Sequence, residues 1–299
     1  MDFLTLLNEK KTINQAALAV PMALGPNDKF TPYKNLLNEE NPDVVIWQAD
    51  AIADDFSKEV IWDQVKQGGA QAVDEGDLSA MKKAALKSEL DQAHQEFLAN
   101  WPGIQKQIVQ ELVQNAKETA GERSLFLAYS TKAEGGLGEM GPADQAFFLT
   151  TALNESKGAF SAVFIPELLD ENLQEKVQEA AQKQGTLVIR TTTLQELTEM
   201  ELSKAFDGAA DKGTNLLNLE MAAASVSEID PADLDAALVD LMNRPAADQL
   251  HVMLTLTGQL SKDQIETWLI LPSALVTLAL SANYQTPKIK STIKELGWN

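Results

Sequence analysis

Cysteine is missing from the 299 residues. Its absence removes thiol nucleophiles, disulfides and zinc sites built on thiolates, and it fits a reducing compartment. Histidine occurs twice, as His94 and His251, and arginine three times, as Arg123, Arg190 and Arg244. Bidentate phosphate or guanine contacts are therefore scarce. Against 44 acidic residues stand 24 Lys and Arg, a net charge of -20. No stretch of chain offers the basic face that displaces counterions from nucleic-acid phosphates, and the same field repels anionic lipid. Such a surface keeps a protein soluble and suits a basic protein partner. Long apolar runs are lacking too. The longest, Trp268 to Ala282, is interrupted by Pro272, Ser273, Thr277 and Ser281. It falls short of the roughly 20 residues that span a bilayer and reads as a buried helix. Residues 1–11 have no basic segment ahead of an apolar core, so they read as a short amphipathic helix and not as a signal peptide. These features together predict a cytoplasmic chain with no membrane attachment.

Short apolar or β-branched runs are what the chain does contain. Residues 43–48, 124–129, 146–153, 159–165, 186–191 and 250–256, with 16–20 as a weaker case, have the length of buried strands. Between them lie helical segments with start signals. Thr31-Pro32 and Asp230-Pro231 place a cap before proline. Thr193 to Glu196 and Ser261 to Gln264 read as capping boxes. Residues 77–120 form the longest helical stretch, and Trp101-Pro102-Gly103 predicts a break into two helices. Residues 167–184 read as a helix starting after Pro166, with acidic residues near its positive end. A Leu-Leu-Asn-Glu echo at 6–9 and 36–39, and Leu-Met-Asn at 241–243, precedes three of the strands, as helix-stop chemistry or as a duplication.

The expected class is α/β, a mixed α+β arrangement in which a mixed sheet carries crossover helices beside a largely helical remainder. The antiparallel part comes from the hairpin-like spacing of 146–153 and 159–165. Three regions follow: a mostly helical 1–121 with one or two strands, an α/β unit at 122–212, and a mostly helical 213–299 packed upon it. The strand, helix and second strand leading into Thr193-Leu194-Gln195-Glu196-Leu197 resemble the N-terminal domain of the enhanced-serine-sensitivity family. That resemblance implies a non-catalytic intracellular protein.

Candidate chemistry is sparse. Gly136-Leu137-Gly138-Glu139-Met140-Gly141 matches G-x-G-x-x-G after the strand at 124–129, which makes Gly136, Gly138 and Gly141 candidates for holding a dinucleotide. The motif starts well beyond the strand end, and Glu134, Glu139 and Asp144 surround it, so a mobile connection between strands is expected instead. Asp91-x-x-His94 and Asp248-x-x-His251 pair carboxylate and imidazole at a spacing that suits metal ligation on a helix. His251 opens a strand, where that spacing does not converge. No cofactor or metal is expected. The Walker loop, G-x-S-x-G and a complete serine-nucleophile set are missing. The resulting expectation is a non-catalytic cytoplasmic protein with an interaction or regulatory role. The alternative is a small-molecule or nucleotide-binding enzyme that uses the loop 135–141.

Overall fold

The structure is a computed structural model that describes residues 3–12, 17–23, 37–38, 41–70, 80–134, 136–194, 198–222, 231–245, 249–257 and 275–279. Eight strands close into one barrel in sequence order. They are β1 (Ala17–Met22), β2 (Val44–Gln48), β3 (Ser124–Ala128), β4 (Phe160–Phe164), β5 (Leu187–Thr193), β6 (Leu216–Ala222), β7 (His251–Thr257) and β8 (Leu275–Ala279). Every pairing is parallel, and β8 joins β1 to complete the ring. The described helices are α1 (Phe3–Thr12), α2 (Lys58–Ala70), α3 (Ala80–Ala120), α4 (Pro142–Ser156), α5 (Glu171–Gln184), α6 (Glu199–Asp211) and α7 (Pro231–Met242). None of them is long and apolar enough to cross a membrane.

Alternation along the strands builds two cores. One face fills the barrel with Ala17, Ala19, Val44, Ile46, Phe126, Ala162, Ile189, Leu216 and Met253. Phe3 and Leu7 of α1 join this cluster, and the Phe3 ring meets Phe126 edge-on at 4.9 Å. The helix thereby plugs the end where the strands begin. The other face packs outward: Trp47 lies against Phe148 of α4 at 5.9 Å and against Phe160 at 6.2 Å. Strands covered on both faces need near-continuous apolar runs, which is why the segments 43–48 and 124–129 stand out in the sequence.

The α/β class with crossover helices is what the structure shows, but the sheet is parallel throughout and not mixed. Residues 146–153 cause the difference, since they belong to α4 and not to a strand. Gln145, Ala146, Phe148, Leu149, Ala152, Leu153 and Ser156 are buried, at helical spacing. Pro142 at the first turn after the Gly141 cap starts this helix, and left-handed Lys157 ends it. The run 268–282 contains β8, so it is not one buried helix. Residues 216–222, unmarked as a strand in the sequence, form β6. Strands from all three expected regions, 1–121, 122–212 and 213–299, share the one barrel.

Helix boundaries differ as well. α3 runs unbroken through Pro102, whose ring lies on an exposed stretch where water can take the freed carbonyl. α5 starts at Glu171, with Asp170 as the cap that accepts from the Leu173 amide. Thr193 ends β5, and Thr198 caps α6 instead. Asn8 sits inside α1, so the Leu-Leu-Asn-Glu echo is not a shared helix stop. Thr31-Pro32 and the Ser261 box lie outside the described residues.

Candidate functional site

In a parallel barrel all strand carboxyl ends open on one face, and ligands collect there because the βα loops are free to vary. Three strands line that mouth with polar side chains. Asn218 on β6 is buried and donates from Nδ2 to Thr191 Oγ1 of β5 at 3.1 Å. Its Oδ1 accepts from Thr255 Oγ1 of β7 at 2.6 Å. This chain of hydrogen bonds forms a rigid polar floor inside the barrel. Glu220 lies two residues further along β6, on the same face of the strand, in register with Thr193 and Thr255.

Two further carboxylates act on Glu220 through their charge. Burial first, then the charges of Glu167 and Glu134, push the Glu220 carboxyl above the usual glutamate range. Glu167 follows β4; partial desolvation and then Glu134 raise it too, although its side chain stays exposed, while Lys212 and Arg190 pull the other way. Glu134 follows β3 and ties two loops together. Its Oε2 accepts from the Thr131 amide and hydroxyl, both at 2.8 Å. Its Oε1 accepts from the Glu167 amide at 3.1 Å and the Leu168 amide at 3.3 Å.

The glycine-rich loop lies on the same face, after β3 and before α4. The helix α4 follows the motif directly, from Pro142. The loop is pinned and is not a mobile connection between strands. The Leu137 amide donates to Asp50 Oδ2 at 2.7 Å, the Glu139 amide to Asp54 Oδ1 at 3.3 Å, and the Met140 amide to Tyr129 Oη at 2.8 Å. The Gly136 amide donates to the Thr131 carbonyl at 2.8 Å. A Cβ on Gly136 would come within 2.0 Å of the Ser130 carbonyl oxygen, and one on Gly138 within 2.5 Å of the Asp50 carbonyl oxygen. Close backbone contact is thus the requirement for glycine at both positions. Gly141 caps α4. Asp50 is 1% exposed, and burial outweighs its backbone bonds to raise its carboxyl.

The histidines lie apart. His94 stacks on Trp62 at 4.6 Å between α3 and α2, with Asp91 exposed one turn away. His251 opens β7, at the opposite end of the strands from the mouth. Asp248 is outside the described residues. Among the described residues no group of three or more His, Asp or Glu could hold a metal ion.

Asn218 and Glu220 were not apparent in the sequence because β6 was not. Leu216, Asn218 and Glu220 alternating with Leu217, Leu219 and Met221 is the period-two signal that could have found them. Glu167 looked like a helix-dipole partner, but the later start of α5 leaves it in a loop at the mouth.

Neither a family model nor a curated protein matches the chain. The strand-helix-strand that resembles the enhanced-serine-sensitivity family is β4, α5 and β5 of the barrel. Among solved structures, the type I 3-dehydroquinate dehydratase of Clostridium difficile superposes with a TM-score of 0.62 at 12% identity, covering 94% of this chain and 92% of that one. The 3-dehydroquinate dehydratase of Enterococcus faecalis gives 0.62 at 14% identity, covering 94% of each chain. The tryptophan synthase alpha chain of Legionella pneumophila gives 0.50 at 13%, covering 100% of this chain and 90% of that one. At these identities the likeness is one of fold, and the fold is that of barrel enzymes. That these neighbours are enzymes runs against the expectation of a non-catalytic protein with an interaction or regulatory role; what they show of this chain is the barrel fold.

Proposed function

We propose that this chain is a barrel enzyme that transfers protons on a small, uncharged or cationic polar molecule bound at the carboxyl-end mouth, with Glu220 as the general acid or base. The observation that carries the reading is Glu220 itself: a half-buried carboxyl, raised by burial and two neighbouring carboxylates, above the Thr191–Asn218–Thr255 floor. A carboxyl whose pKa burial and neighbouring charge raise is suited to proton transfer. Asn218 and the threonines orient hydroxyl or amine groups, while Glu134 holds the loops after β3 and β4 in place. Three carboxylates disfavour an anionic substrate at this spot. The loop 136–141 supports the site by shape, since the amides that would cradle a phosphate already donate to Asp50, Asp54 and Tyr129. A cysteine-free sequence fits work in the cytoplasm, and a charge of -20 argues against nucleic acid as substrate.

The test is proton NMR of pooled polyols, hydroxylated compounds and amines in deuterium oxide. The native protein is expected to exchange or convert at least one of them, and Glu220→Gln to suppress that reaction while keeping its fold. Undiminished turnover by Glu220→Gln would remove Glu220 from the chemistry.

A further inference from the structure

We propose that the groove between α5 and α6, on the outside of the barrel, is a second binding site, for a small hydroxylated oxyanion such as a sugar phosphate or a hydroxy acid. The groove has a volume of about 860 Å³ and exposes the outward face of β5. Arg190 stands at its base. Nη1 donates to Gln174 Oε1 at 2.8 Å and Nη2 to Gln178 Oε1 at 3.2 Å. Both acceptors are neutral amides, so they aim the guanidinium without cancelling its charge. Nε is buried and has no hydrogen-bond partner. A sheltered cation normally sits against a carboxylate, and an unspent donor there is costly. Desolvation lowers the Arg190 pKa, the expected mark of a charge awaiting a counter-ion.

Other walls of the groove agree. Lys204 and Lys212 line it, and among the described residues neither they nor Arg190 has a carboxylate at ion-pair distance. Glu167 and Glu201 also line the groove, and Glu201 Oε2 is buried without a partner. An orphan donor and an orphan acceptor in one groove ask for a ligand with an oxyanion at one end and a hydroxyl at the other. Preset guanidinium geometry lowers the cost of binding it. The negative field of the rest of the protein is screened within about 8 Å at physiological salt.

Glu167, Thr191 and Thr193 border both the groove and the mouth, while Arg190, Lys204 and Lys212 belong to the groove, so Glu220→Gln is expected to change oxyanion binding far less than Arg190→Gln does. Calorimetric titration with inorganic phosphate, citrate and ribose 5-phosphate should show saturable binding of at least one probe. Arg190→Gln should weaken it tenfold or more, and Lys204→Ala with Lys212→Ala should weaken it in a protein of unaltered fold, since both lysines are exposed. Glu201→Gln should weaken ribose 5-phosphate more than inorganic phosphate. Tighter binding of the phosphates than of citrate assigns a phosphorylated ligand, and the reverse order a polycarboxylate. No saturable binding, or binding untouched by both the arginine and the lysine variants, would overturn the proposal.

Discussion

Leu137 gives its amide proton to the buried carboxylate of Asp50 at 2.7 Å, which joins the loop after β3 to the turn after β2. The two residues are far apart in the chain, and their contact turns a glycine-rich segment into part of the barrel rim. Neighbouring bonds from Glu139 to Asp54 and from Met140 to Tyr129 repeat the arrangement. The loop is therefore set before any ligand arrives.

Glycine at positions 136 and 138 answers to this packing. Gly138→Ala and Gly136→Ala each force backbone to move, and each is expected to cost about 1–3 kcal/mol of stability. Gly103 on α3 has no heavy atom within 4 Å of a built Cβ. Gly103→Ala should instead stabilise by about 0.5–1 kcal/mol. Urea unfolding of the three variants checks both signs.

Tyr129 is buried, and its hydroxyl takes the Met140 amide. Tyr129→Phe keeps the ring and leaves that amide unpaired, at a cost of about 1–3 kcal/mol. Amide hydrogen exchange at Met140 should speed up more than exchange in β3. Equal protection in the variant would show that water replaces the hydroxyl.

Glu220→Gln should trade stability for function. The folded protein raises this carboxyl above its unfolded value of about 4.3. Its contribution to stability is full below that pH and is lost as pH rises through the folded value. The variant should therefore melt above the native protein at pH 7–8, and the gap should close near pH 4. Activity should fall by about 10²–10⁴-fold, the usual weight of a general acid or base. Melting curves across pH give the first result and the NMR assay the second.

β8 closes the ring between β7 and β1. Deleting residues 260–299 would expose two unpaired strand edges, which pair with other chains. The truncated chain is expected to aggregate or to lose its cooperative unfolding. A monomer with an unchanged melting temperature would mean that the seven remaining strands hold themselves together.

Several parts of this molecule were legible in the amino-acid sequence. β2, β3, β4, β5 and β7, and more weakly β1, were marked by runs such as Val44 to Trp47, because strands covered on both faces must be apolar nearly throughout. The helical character of 80–120 and the start of α7 at Pro231 were also local matters, decided by propensity and by proline's fixed φ. Tertiary structure decided the rest. Residues 146–153 have the composition of a strand, and only the covering of β3 and β4 makes them a helix. Residues 216–222, rich in leucine, glutamate, methionine and alanine, suit a helix in isolation, and pairing with β5 and β7 makes them a strand. That pairing brings Asn218, Glu220, Thr191 and Thr255 together, within the field of Glu167 and Glu134. Local preferences amount to a few tenths of a kcal/mol per residue, whereas burying one large apolar side chain contributes about 1.5–3 kcal/mol. Closure of the barrel, a contact between β1 and β8 at opposite ends of the chain, could therefore override local preference and assemble a site no short motif announces.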